Sequence, residues 1–130
     1  MKKALTVSRL LLAIILLGAS WALAAGHTRI TADELKDMMK SPKGMVMVDV
    51  REPELFTAGH IPGAINIPYD DSKGRIMKEL KPGDKIVFVC HGGPMGDELG
   101  TILTENGYKS VYNLKGGMRK WNGPLAKGTR

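Results

Sequence analysis

The chain has 130 residues, 19 Lys+Arg against 13 Asp+Glu, a formal net charge of +6, 43% hydrophobic residues and one cysteine, Cys90. One cysteine excludes an intrachain disulfide, and a modest basic excess spread along the chain lacks the clustered stripe that nucleic-acid binding needs. The length accommodates one compact domain with one core, not two.

The N-terminus has the pattern of an export signal. Lys2, Lys3 and Arg9 form a basic start, Leu10 to Leu17 an uncharged apolar run, and Ala22-Leu23-Ala24 the small residues that a signal peptidase accepts. The expectation is a signal peptide over residues 1–24, cleaved after Ala24 or Ala25, and a mature protein in the periplasm or outside the cell. Cleavage leaves 106 residues carrying about +3. The alternative is an uncleaved membrane anchor, although Leu10 to Ala25 is 16 residues and crossing the hydrocarbon takes about 20. No cysteine follows the apolar run at a lipoprotein processing position. A free thiol in an oxidising compartment suggests use, and the fold there must be held by packing alone.

Beyond the leader, a single domain is expected over residues 28–127. Thr31-Ala32-Asp33-Glu34 matches a capping box, followed by Leu35, Met38 and Met39 at helical spacing, so a helix is predicted over 32–40. Ser41-Pro42-Lys43-Gly44 breaks it, and Met45 to Val50 (MVMVDV) reads as a strand buried on both faces. Pro53 suits the first turn of a short helix that Gly59 ends. Residues 64–67 form a second strand candidate, 72–80 a weaker helix, and Ile86 to Val89 the central strand, which runs directly into Cys90. After Gly92-Gly93-Pro94, the stripe Met95, Leu99, Ile102 and Leu103 marks a helix closed at Asn106-Gly107. Ser110 to Leu114 is a further strand, and Gly116-Gly117 opens a last short helix with Trp121. Strands alternating with helices at such short separations call for a parallel sheet covered on both faces, an α/β fold.

Ligands of open α/β sheets gather beyond the carboxyl ends of the strands, and Cys90 stands at such an end, before a glycine-rich loop and a helix. Gly92 and Gly93 can turn their N–H groups inward without obstruction, and the helix adds its free donors and the positive end of its dipole. Such a cradle stabilises a thiolate, the form in which cysteine is a nucleophile. A lone cysteine after an apolar strand is otherwise a small buried hydrophobe.

Asp49-Val50-Arg51-Glu52-Pro53, the stretch Gly59 to Pro68 (GHIPGAINIP), Cys90 in its loop, Asn106-Gly107-Tyr108, Asn113-Leu114-Lys115-Gly116-Gly117 and Trp121 resemble, in order and spacing, the rhodanese family. The resemblance covers residues 31–124. It implies a three-layer α/β/α fold around a five-stranded parallel sheet, and a sulfurtransferase in which Cys90 is the catalytic residue. Cys90 would accept a sulfane sulfur from thiosulfate, a polysulfide or a persulfide and pass it to a thiol or cyanide-like acceptor. His91, Gly92, Gly93, Met95 and Gly96 would bind the donor and the persulfide, chiefly through main-chain amides. No cofactor is implied, because the exchanged sulfur rides on the cysteine. The implied partners are a small sulfur donor and a thiol acceptor, with no nucleic acid, and with a membrane only if the N-terminal segment stays attached.

The loop departs from thiosulfate-using members, which carry Arg, Lys, Ser or Thr where this chain has Pro94 and Met95. Pro94 removes one N–H, Met95 offers neither charge nor hydroxyl, and His91 alone could supply a cation. A less charged donor therefore stands beside thiosulfate, and a sulfur-carrier or binding module without turnover stands beside the enzyme. Phosphatases of related fold need an arginine at the sixth position after the cysteine, which here is Gly96. Asp49, Arg51 and His60 read as supporting residues that tie loops together. His27, His60 and His91 show no metal-binding spacing, so no metal is expected.

Overall fold

The computed structural model describes residues 26–129. The expected signal peptide and its expected cleavage point lie outside these residues. Among them, no helix is long and apolar enough to cross a membrane.

The chain forms β1 (Thr28–Ile30), α1 (Ala32–Met39), β2 (Met45–Asp49), α2 (Pro53–Ala58), β3 (Ile65–Asn66), α3 (Tyr69–Glu79), β4 (Lys85–Val89), α4 (Pro94–Glu105), β5 (Val111–Leu114) and α5 (Gly117–Lys120). All five strands are parallel, in the order β1-β5-β4-β2-β3, so β4 is central. The capping box of α1 is complete: the Glu34 amide donates to Thr31 Oγ1 at 3.1 Å and the Thr31 amide to Glu34 Oε2 at 3.0 Å. Pro53 opens α2, and Gly107, at φ +87°, follows the last turn of α4.

Side chains of a strand alternate between the faces of the sheet, and in this chain the alternation divides two cores. Val48 and Val50, with Ile86, Phe88 and Cys90, pack under Ile76 and Leu80 of the α3 segment and Leu99 and Leu103 of α4. Met47, Val87, Val89 and Leu114 pack on the other face against Leu35 of α1, Phe56 of α2 and the Met118–Trp121 turn. Each such aliphatic side chain contributes about 1.5–3 kcal/mol on full burial. Burial on both faces explains why β2 and β4 read as unbroken apolar runs.

Three differences from the sequence expectations have physical causes. β1 escaped it because Thr28-Arg29-Ile30 is too short to show a period, and it is held by parallel pairing to β5 and by ion pairs. β3 shrinks to two residues, since Pro68 cannot donate to a ladder. α3 starts three residues early, at Tyr69, because Pro68 presets the entry and Asp70 and Asp71 suit the first turn.

Candidate active site around Cys90

From β2 the chain passes to β3 on one side of the sheet, and from β4 to β5 on the other. The crevice between the ends of β2 and β4 is thus the topological switch point, where α/β folds bind ligands. Val50 closes one end and Cys90 the other. By the alternation along β4, the Cys90 side chain faces the α3/α4 layer.

The loop after Cys90 is shaped by bonds from outside it. The amide of Met118 donates to the Cys90 carbonyl at 2.8 Å and that of Arg119 to the His91 carbonyl at 3.1 Å. The start of α5 thereby turns the loop's carbonyls away from the crevice. Gly117 lets α5 approach this closely: a Cβ there would lie 2.3 Å from the Cys90 oxygen. Gly93, at φ +124°, reverses the chain in a conformation that L side chains avoid, and its N–H donates to Cys90 Sγ at 2.9 Å. Pro94, Met95 and Gly96 are the first three residues of α4, where amides have no intrahelical acceptor. Pro94 has no N–H to leave unpaired. The amides of Met95 and Gly96 therefore lack intrahelical acceptors, at the positive end of a 12-residue helix that begins four residues after Cys90.

Over the switch point lies a pocket of about 130 Å³ lined by Val50, Glu52, Pro53, Pro68, Tyr69, Asp70 and Met95. Val50, Tyr69 and Met95 belong to the apolar cluster that also contains Cys90. The thiol lies beneath this lining and is only 1% exposed. His91 Nε2 donates to Glu52 Oε2 at 2.8 Å, linking the cysteine loop to the loop after β2 across the crevice. Its own backbone amide first, and His91 second, hold the Glu52 carboxyl below the usual carboxylate range. The Tyr69 hydroxyl donates to Glu98, which also pairs with Lys73 at 2.7 Å and ties α3 to α4 beside the pocket.

The structure thus brings Cys90, His91, Gly92, Gly93, Met95 and Gly96 into one loop and helix start. Asp49, Arg51 and His60 sit apart from the sulfur, in a girdle beneath the same strand ends. Arg51 donates to Asp49 in a buried ion pair at 2.8 Å and to the Gly59 carbonyl at 2.8 Å, while Asn66 Nδ2 donates to the Asp49 and Arg51 carbonyls at 2.9 Å. His60 is fully buried, stacks on Phe56 at 3.8 Å and donates from Nδ1 to the Phe56 carbonyl at 2.8 Å. Among the described residues no cluster of His, Cys, Asp and Glu could hold a metal ion.

Besides His91, a second cation lies against the cysteine loop. The Arg119 guanidinium lies against Gly92, with Nη1 3.2 Å from where a Cβ would stand. It comes from α5, and no local spacing in the sequence connects it with the cysteine loop. Two further residues went unread, Glu52 as the partner of His91 and Asn113 as a support of Gly93, to whose carbonyl Asn113 Nδ2 donates at 2.8 Å. Both depend on strands meeting at a distance in sequence.

Fold and site together define a parallel α/β domain with a cysteine cradled at its switch point. The chain belongs to the rhodanese-like domain family, whose sequence profile matches residues 31–124. It is similar to YrkF of Bacillus subtilis, provisionally described as a sulfur carrier protein (32% identical; 77% of this chain, 54% of YrkF). It is also similar to the thiosulfate sulfurtransferase GlpE of Tolumonas auensis (26% identical; 72% of this chain, 87% of GlpE). Among solved structures, a rhodanese-like domain protein from Staphylococcus aureus superposes with a TM-score of 0.68 at 32% identity, covering 77% of this chain and 97% of that one. The chain spans 54% and 62% of the lengths of the Bacillus subtilis relatives YrkF and YqhL.

Proposed function

We propose that this rhodanese-like protein is a sulfurtransferase that carries the transferred sulfur on Cys90. The Cys90 thiolate attacks the outer sulfur of a sulfane donor, a new S–S bond forms at Cys90, and the donor's S–S bond breaks, releasing a thiolate, or sulfite if the donor is thiosulfate. The terminal sulfur of the resulting persulfide is then attacked by a thiolate or cyanide-like acceptor, which restores the Cys90 thiolate. The observation that carries the reading is the N–H of Gly93 on Cys90 Sγ at 2.9 Å, just before the start of α4. This donor is fixed in advance where negative charge resides during the cycle, on a thiol that is almost fully buried.

The donor class divides between the two sides of the loop. Arg119 against Gly92 suits an anionic donor such as thiosulfate, whereas the pocket walled by Val50, Tyr69 and Met95, with Glu52 and Asp70 at its rim, suits an organic persulfide of low charge. The near-complete burial of Cys90 favours a second reading, a sulfur carrier that holds a persulfide without efficient turnover. Export through the N-terminal segment belongs to the same proposal: a lone, covered thiol forms no disulfide within its chain and persists in an oxidising compartment.

Intact mass before and after incubation with thiosulfate or an organic persulfide separates these readings. The enzyme gains one sulfur, loses it to a thiol and turns over repeatedly, and Cys90→Ser abolishes both steps. Stoichiometric uptake without turnover selects the carrier. No uptake by the wild-type chain overturns both.

A further inference from the structure

Asn113, in β5, is fully buried and touches the cysteine loop from below. Its Nδ2 donates to the Gly93 carbonyl at 2.8 Å and to Asp97 Oδ1 at 3.0 Å. Its own Oδ1 has no partner, and Gly96 approaches so near that a Cβ there would fall 1.9 Å from that oxygen. A buried amide left half-satisfied costs stability, and mere satisfaction of the Gly93 oxygen does not account for it. That carbonyl already accepts the first helical bond, from the Asp97 amide at 3.1 Å. The second donor serves geometry. Gly93 has no side chain to restrict its rotation, yet its N–H must stay on Cys90 Sγ for the cradle to persist.

Asp97 is itself fixed from the edge of the sheet. His27 Nε2 donates to Asp97 Oδ1 at 2.7 Å and Arg29 Nη2 lies 2.9 Å from Oδ2, while the His27 ring lies over Gly100 of α4.

We propose that Asn113 is the positioning residue for the reactive sulfur, holding Gly93 so that its N–H remains on Cys90 Sγ, and that Asp97, clamped by His27 and Arg29, fixes the Asn113 amide. This rests on the reading of Cys90 as the reactive thiol. Asn113 acts through Gly93 and touches no substrate, so its loss affects thiolate reactivity and leaves donor affinity alone.

The test compares the wild-type chain with Asn113→Leu, Asp97→Ala and Asp97→Asn in two measurements: the pH profile of Cys90 alkylation by iodoacetamide, and kcat and KM with an organic persulfide donor. Asn113→Leu is expected to move the alkylation profile to higher pH, slow alkylation at neutral pH about tenfold and lower kcat with KM unchanged. Asp97→Ala shifts both in the same direction by less, and Asp97→Asn, which keeps an acceptor for Asn113, returns the profile to wild type. If Asn113→Leu does not fold, the Asp97→Ala and Asp97→Asn pair decides alone. Folded variants with wild-type profile and kcat overturn the positioning role. Shifted profiles in a chain that takes up no sulfur would instead leave Asn113 in place and overturn the sulfurtransferase reading.

Discussion

At the scale of single residues, the site is a balance between main-chain donors and a few charges brought in from elsewhere. Arg119 is the charge whose role is most open to measurement. It lies against Gly92, and under the proposed function it would act on donors that carry net negative charge. Arg119→Ala is expected to raise KM for thiosulfate about five- to tenfold, as loss of a charge-assisted contact should, while KM for a singly charged organic persulfide stays within about twofold. Steady-state kinetics with the two donors side by side checks this, and equal losses with both would remove Arg119 from donor selection. Cys90 was legible in the sequence because strand, cysteine, paired glycines and helix are contiguous. Arg119, Glu52 and Asn113 were not, because each meets the loop only after a crossover has closed.

At the scale of elements, the decisive contact is the packing of α5 under the cysteine loop. Two amides at the start of a four-residue helix hold the carbonyls of Cys90 and His91, an arrangement that demands a residue without Cβ at Gly117. Gly117→Ala should force the Cys90 carbonyl aside, cost about 1–3 kcal/mol and slow sulfur uptake. Gly74→Ala makes the matched control. Gly74 lies within α3 with nothing within 4 Å of a new Cβ, so alanine there should be neutral or stabilising by up to about 1 kcal/mol. Urea unfolding of both variants, read as a midpoint shift at constant slope, checks the contrast; equal effects would mean that α5 does not set the loop.

The capping box, the Pro53 entry and the Gly107 exit were all readable locally, since each is a short-range exchange between side chain and backbone. The extent of β3 and the existence of β1 were not. Two- and three-residue strands carry no period of their own and exist because a neighbour offers a ladder.

For the molecule as a whole, the links that close the sheet's β1 edge onto α4 converge on Asp97. Partial burial pushes its pKa up, but hydrogen bonds from Arg29, His27 and Asn113 outweigh this and bring it down to about 2. A carboxyl depressed on folding adds stability that is complete above its unfolded pKa and is lost as pH falls through the folded value. The contribution should therefore be intact at neutral pH, start to fall near pH 4 and be gone below about pH 2, with a size on the order of 1–2 kcal/mol after allowance for its partly open surface. Urea midpoints at pH 7, 4 and 2.5 should fall more steeply in the wild type than in Asp97→Asn. Parallel curves would show that Asp97 does not couple β1 to α4.

The sequence by itself determined the fold class, the order of the main strands and helices and the place of the thiol, because alternation, caps and glycine breaks are written in neighbouring residues. Only the tertiary structure decided how deeply Cys90 lies, which cation reaches its loop, and that Asn113 and the His27–Arg29 segment support it. Those properties depend on which strands become neighbours in a parallel sheet, and parallel pairing joins residues tens of positions apart through crossovers that no local pattern encodes.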